Sequence, residues 1–261
     1  MAPFIETYKV LGSDIDIQYR ITPNALLHYF QDCFARFVSS HRIAAFDIIK
    51  QDLIWLITEF DLNCTGDRPL WSENIRVEIG FSKITPIRMY ADFRIYDCHD
   101  RIFAEGCSVW VVIHAATKRP FASKEMLENA GITESGDMFK GIAPQVKAEK
   151  IAVKSVNHTV NISDLDFNGH VCNRSYLRFA INTAPLEFLN QNKPERIHVK
   201  FVREAFLNEV LTCNVSKYDT EQDIFSHEIT GEDGKTVCSI YSEWVNDSKA
   251  INKDISEALI R

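Results

Sequence analysis

The chain predicts an α+β fold in which one plan, a long helix followed by antiparallel strands, is written twice. Two observations carry that reading. A shift of 150 residues lays Asp14-Ile15-Asp16-Ile17-Gln18-Tyr19-Arg20 on Asp164-Leu165-Asp166-Phe167-Asn168-Gly169-His170. Behind both copies the hydrophobic period then changes in the same order, from helical spacing to alternation.

In the first copy Leu27, Phe30, Phe34, Phe37 and Val38 recur at helical spacing and form one apolar stripe. Thr22 offers a side-chain acceptor for the N-cap, and Pro23 a preset φ for the first helical position. Ile75, Val77, Ile79 and Phe81 then alternate with polar residues, as do Ile87, Met89, Ala91, Phe93 and Ile95, which predicts half-buried antiparallel strands. Periodicity weakens over residues 118–154, where Pro120, Gly131, Gly136, Gly141 and Pro144 mark a linker holding a short helix near 124–129.

The second copy repeats the helical stripe with Leu177, Ile181, Ala184 and Phe188, and Pro185 is expected to kink or end it. Alternation resumes at Ile197-Val199-Phe201, then at Leu211, Cys213 and Val215, then at Phe225, His227 and Ile229. Asp233-Gly234 marks a turn into a last strand through Trp244. A curved antiparallel sheet wrapped around one mostly apolar helix buries both elements at once. That is the hot-dog fold, and the duplication predicts two in tandem: an N-terminal domain over 1–117, a linker over 118–154 and a C-terminal domain over 155–261.

Composition narrows the function classes. Hydrophobic residues make up 46% of the 261 and charged residues 25%, ordinary values for a soluble globular protein. No apolar run approaches the roughly 20 residues that span a bilayer. The start, Met1-Ala2-Pro3-Phe4-Ile5-Glu6, lacks a charged segment followed by an apolar one, so the chain is expected in the cytoplasm and not on a membrane. A formal charge of −7 disfavours nucleic acid, whose phosphates call for a basic face. Seven scattered cysteines without a C-x-x-C pair suit reduced thiols that mostly fill apolar space. The histidines lack paired metal spacing and no glycine-rich phosphate loop occurs, so no metal or other cofactor is expected.

The chemistry concentrates in D-L-D-F-N-G-H-V-C-N-R-S-Y, residues 164–176. Asp166, Asn168 and His170 alternate, and in an extended segment alternate side chains share a face. A carboxylate, an amide and an imidazole brought together can orient a carbonyl, place a water and relay a proton. Glu204, in V-R-E-A after the Ile197 to Phe201 run, offers a second carboxylate. Singly, each has a plain reading: a helix cap for Asp166, a turn former for Asn168, a satisfied imidazole for His170, a solvated strand end for Glu204. Cys172 lies beside the motif, but without a base partner it reads as packing. In the first copy Asp16, Gln18 and Arg20 hold the equivalent places, and an arginine cannot act as a base near neutral pH. The first half is therefore expected to have kept packing and lost chemistry.

The run from 163 to 185 and the V-R-E-A segment closely resemble the C-terminal half of acyl-acyl-carrier-protein (acyl-ACP) thioesterases, the plant chain-terminating enzymes and their bacterial relatives. The family's D-x-N-x-H cluster and its downstream glutamate fall on Asp166, Asn168, His170 and Glu204. The resemblance implies hydrolysis of fatty acyl-ACP without a cofactor. It also implies a first half that contributes the acyl pocket, with Phe30, Phe34, Trp55 and Met89 as candidates to line it. Many plant members carry a cysteine after the glutamate; here it is Ala205, which favours an activated water. Glu204, directly or through His170, would activate that water, Asn168 would fix the water or the carbonyl, and Asp166 would hold the local hydrogen bonds. An N–H near Val171 or Cys172 would aid the oxyanion. An acidic carrier protein needs a basic patch, for which Lys193, Arg196 and Lys200, or Lys147, Lys150 and Lys154, are candidates. Hot-dog enzymes commonly act as dimers, so a homodimer is compatible with this reading. Acyl-coenzyme A hydrolysis, a non-catalytic acyl-binding role and, with a poorer fit to the motif, a hydratase stand as alternatives.

Overall fold

A computed structural model of the chain describes residues 1–135 and 142–247. The elements run β1 (Phe4–Lys9), α1 (Pro23–Ser40), α2 (Ala45–Ile48), β2 (Leu53–Cys64), β3 (Asn74–Ile84), β4 (Arg88–Tyr96), β5 (Ile102–His114), α3 (Lys124–Asn129), β6 (Lys150–Thr159), α4 (Asn173–Ile181), α5 (Leu186–Gln191), β7 (Asn192–Phe201), β8 (Val210–Tyr218), β9 (Asp223–Thr230) and β10 (Thr236–Asn246). They group into two compact units. One comprises Met1–Lys9, Leu27–Asp67 and Asn74–Pro144; the other comprises Val10–Leu26, Arg68–Glu73 and residues 145–247. Gly136 and Gly141, read as part of the linker, lie outside the described residues.

In the first unit the strands pair antiparallel in the order β1-β3-β4-β5-β2. The helix begins as its residues require, with the Thr22 hydroxyl oxygen accepting the Ala25 N–H at 3.2 Å. The α1 stripe then packs on the inner face of the sheet. Phe30 lies 4.5 Å from Phe93 and 5.2 Å from Phe60, and Phe34 stacks on Trp110 with centroids 3.7 Å apart. Every alternating residue of β3 and β4 is buried except Ile87. Thr85 N–H and Arg88 O bond across the reversal at 2.8 Å, which puts Ile87 at the tip of the turn and not in the strand. The strands β2 and β5 show no alternation because neither presents an exposed face, every residue but Ile102 being buried or half-buried, so apolar residues run together in them.

In the second unit the order is β7-β10-β9-β8-β6, again antiparallel. Its helical segment is not one long helix: α4 ends at Ile181 and α5 starts at Leu186. Pro185 has no N–H to donate, is extended at ψ 147°, and biases Ala184 away from helical geometry. Thr183 Oγ1 donates to Ala180 O at 2.7 Å and closes the first piece. The α3 helix falls where the sequence places it, but β6 begins at Lys150, inside the stretch read as linker. Gly234 turns the β9–β10 hairpin at φ +71°, and β10 continues two residues past Trp244 to Asn246. No helix among the described residues is long and apolar enough to cross a membrane.

Candidate active site

The D-x-N-x-H segment is a tight turn, not an extended strand, so alternation is not what gathers its groups. One carboxylate oxygen, Asp166 Oδ1, accepts the N–H of Asn168 at 2.8 Å and that of His170 at 3.3 Å. Asp166 N–H donates to His170 O at 2.8 Å, and Gly169 N–H to Asp166 O at 3.1 Å. Gly169 sits at φ +79°, where a side chain would be strained. The turn reverses the chain so that Leu165 pairs with Val171. Asp166 is thus the organiser of the turn, the Asn168 side chain is exposed, and His170 is half-buried at its end.

Asp164 anchors the turn from below. Its fully buried carboxylate takes the His158 ring nitrogen at 2.9 Å, the Asn161 N–H at 2.9 Å and the Arg178 guanidinium from α4. Burial alone would raise this carboxyl, but the Asn161 N–H, His158 and Arg178 hold it below the usual range. Its carbonyl also accepts the Cys172 N–H and the Ser175 hydroxyl. The sequence reading passed over Asp164 as a site residue, although it opens the same motif.

Glu204 arrives from the segment after β7. The Val171 N–H donates to Ala205 O at 2.9 Å and His170 bridges to Phe206, so the two segments run side by side. Glu204 Oε1 then lies 3.5 Å from His170 Nδ1, both about a third exposed, with the Phe206 ring edge-on to the imidazole at 5.1 Å. Next to it Arg203 donates to Asp233 Oδ1 at 2.8 Å, which ties the segment to the β9–β10 turn. The structure therefore brings His170 and Glu204 together and gives Asp166 the turn itself. Of the N–H groups near Val171 and Cys172 expected to aid the oxyanion, those of these two residues are spent on Ala205 and Asp164. Arg196 also drops out as a patch residue, being buried and ion-paired with Glu243 at 3.7 Å. Lys147, Lys150, Lys154 and Lys200 are exposed, and Lys193 is half-buried.

The first copy repeats the turn bond for bond. Asp16 Oδ1 accepts the N–H of Gln18 at 2.9 Å and of Arg20 at 3.1 Å, Asp16 N–H donates to Arg20 O, and Ile15 pairs with Ile21. Tyr19 takes the place of Gly169 at φ +60°. Ile21 N–H donates to Pro69 O as Val171 does to Ala205 O, which puts Arg68 where Glu204 stands. Imidazole and carboxylate are thus replaced by two buried guanidiniums. Arg68 bonds Asp16 at 2.7 Å, and both arginines close on the buried carboxylate of Asp247, at 3.1 Å from Arg20 and 3.5 Å from Arg68. Arg68 and Asp247 were not legible as counterparts: the shift of 150 that aligns the turns fails beyond the helices.

A twofold helix-and-meander chain with an imidazole–carboxylate pair on one carboxylate-held turn, and two guanidiniums at the same places on the other, defines a duplicated hot-dog protein. Family models match accordingly: the acyl-ACP thioesterase N-terminal domain over residues 2–129 and the acyl-ACP thioesterase C-terminal domain over residues 147–246. The chain belongs to the acyl-ACP thioesterase family. It is 26% identical over 226 residues to acyl-[acyl-carrier-protein] hydrolase FATB1 of Cuphea viscosissima, covering 79% of this chain and 52% of that one. It is also 26% identical over 217 residues to a palmitoyl-acyl carrier protein thioesterase of Arabidopsis thaliana, with 76% and 52% covered. The chain thus spans about half the length of these curated relatives. Among solved structures, an acyl-ACP thioesterase of Bacteroides thetaiotaomicron superposes with a TM-score of 0.80 at 17% identity, covering 92% of this chain and 97% of that one. The 12:0-ACP thioesterase of Umbellularia californica does so with 0.81 at 18%, covering 94% and 98%. These likenesses establish the fold.

Proposed function

We propose that this protein hydrolyses the thioester of a fatty acyl chain carried on acyl carrier protein. The observation that carries the reading is the His170–Glu204 contact on a turn whose twin holds Arg20 and Arg68 instead. A base is retained in one copy only, which suits chemistry and is superfluous for binding. Water attacks the thioester carbonyl while Glu204, through His170, takes its proton; the C–S bond breaks, and the imidazole returns a proton to the departing thiolate. The products are a free acid and a thiol. The exposed Asn168 amide is a donor able to hold the carbonyl oxygen as charge develops, whereas the Val171 and Cys172 amides are committed. Asp166 positions both ends of the turn without touching substrate. The similarity to acyl-ACP hydrolases supports an acyl-ACP substrate, and the exposed lysines Lys147, Lys150 and Lys200 offer cationic points for an acidic carrier.

Glu204→Gln keeps shape and removes the basic carboxylate, so single-turnover hydrolysis is expected to fall by about 10²–10⁴-fold with folding intact. Near-normal turnover by the folded variant rejects Glu204 as base. A panel of acyl-ACP and acyl-coenzyme A thioesters at matched chain lengths tests the carrier, and preference for coenzyme A at every length rejects that part.

A further inference from the structure

Beneath α4 the second unit is not filled. A cavity of about 380 Å³ lies between α4, the break that follows it and strands β6 to β10. Sites for small molecules run to ~300–1,000 Å³. Comparing the two repeats explains the space. In the first, the Trp110 indole N–H donates to Ser108 Oγ at 2.8 Å; in the second, Trp244 donates to Ser242 Oγ at 2.9 Å. That shared contact sets the register. Phe93 pairs with Gly106 as His227 pairs with Ile240, and Phe60 pairs with Ser108 as Ile197 pairs with Ser242. On the helical side, the shift of 150 sets Phe30 and Phe34 against Ala180 and Ala184. Four ring positions that fill the first core are thus two alanines, an isoleucine and a histidine in the second, and all four of these line the cavity.

The lining dictates what fits. Leu177, Ile181, Val215 and Phe188 present hydrocarbon. The cavity reaches solvent at Val153, Lys154 and Pro185, which are exposed. There Lys154 and Lys217 supply two ammonium groups against one carboxylate, Asp223, which pairs with Lys217 at 2.6 Å. Inside, the buried His227 has no hydrogen-bond partner at Nδ1 among the described residues. An apolar slot with a net positive rim suits one alkyl chain ending in a carboxylate. None of His170, Glu204 and Asn168 lines this cavity, and Ile197 on β7, which does, stands seven residues before Glu204 in the chain.

We propose that this cavity binds a free fatty acid, its tail along α4 and its carboxylate at Lys154, separately from the thioester site. Calorimetric titration of the whole protein with dodecanoate, and with methyl dodecanoate as the uncharged control, tests it. One site is expected, and Lys154→Glu should weaken the acid about tenfold while leaving the ester unchanged. Ala184→Phe, which restores the ring of the first repeat, should abolish binding and leave turnover of a butyryl thioester intact; His227→Phe should do the same by another route. No heat of binding, or unchanged binding in both filled variants, overturns the site. Loss of long-chain thioester hydrolysis in step with loss of dodecanoate binding also overturns it, by making the slot the seat of the reacting chain. Glu204→Gln should bind dodecanoate normally, so a failed base assignment and a failed fatty-acid site read out separately.

Discussion

At the residue scale, one carboxylate oxygen does the work that the alternation of Asp166, Asn168 and His170 had suggested for a strand. Two N–H groups on Asp166 Oδ1 hold the turn, and the same two bonds recur on Asp16. Asp166→Ala and Asp16→Ala should each lower stability by about 2 kcal/mol, the scale of hydrogen bonds to a charged acceptor. Only the first should also slow single-turnover hydrolysis, by about 10²-fold, because misplacing a reacting group by an ångström costs that much. Equal rate losses in the two variants would deny the division between copies. The residue types of the site were legible because Asp, Asn, His and Glu stand out against an apolar background; their geometry was not, since a turn held by a side chain leaves no period in the sequence.

At the scale of elements, the legible parts were those with a period and the illegible ones those without. Half-buried β3, β4, β8 and β9 alternate and were read correctly in position, whereas β2 and β5, covered on both faces, show only apolar runs. The second helix misled because Ala184 and Phe188 keep helical spacing across the break at Pro185. The residue before Glu204 rests on another unperiodic detail. A Cβ on Gly231 would meet Arg203 Nη2 at 2.2 Å, so glycine there lets Arg203 reach Asp233. Gly231→Ala should push the guanidinium aside and destabilise by at most about 1 kcal/mol, the scale of an exposed ion pair, while in an Arg203→Ala background it should add little. Additive losses in that double-mutant cycle would show that the clash is not the cause.

For the whole molecule, the histidine in the second core makes stability depend on pH. Burial, with help from Lys154, pushes His227 down to about 4, so it is neutral when folded and readily protonated when unfolded. Between its unfolded pKa of about 6.5 and its folded value the unfolded chain binds the extra proton, and stability falls as pH drops through that window. The full loss is on the order of 3 kcal/mol. Asp164, held below the usual carboxylate range, adds to acid lability at still lower pH. Denaturant titrations from pH 7 to 4 should show the slope in the natural chain and its absence in His227→Phe; the same slope in both would assign it elsewhere.

The clasp of Arg20 and Arg68 on Asp247 also limits how the two turns can be made alike. Restoring histidine at 20 and glutamate at 68 rebuilds the second copy's pair on an intact turn, yet sets the new carboxylate beside Asp247, which is 4% exposed and has by then lost both cations. Two carboxylates brought together in a buried site that has given up two guanidiniums cost several kcal/mol. Arg20→His with Arg68→Glu should therefore unfold at markedly lower temperature, and adding Asp247→Asn should recover most of that loss. Equal melting points with and without the third change would contradict this. Any path from the arginine pair to a second imidazole–carboxylate pair passes through an unstable intermediate unless position 247 changes first, so the difference between the two turns behaves as a ratchet.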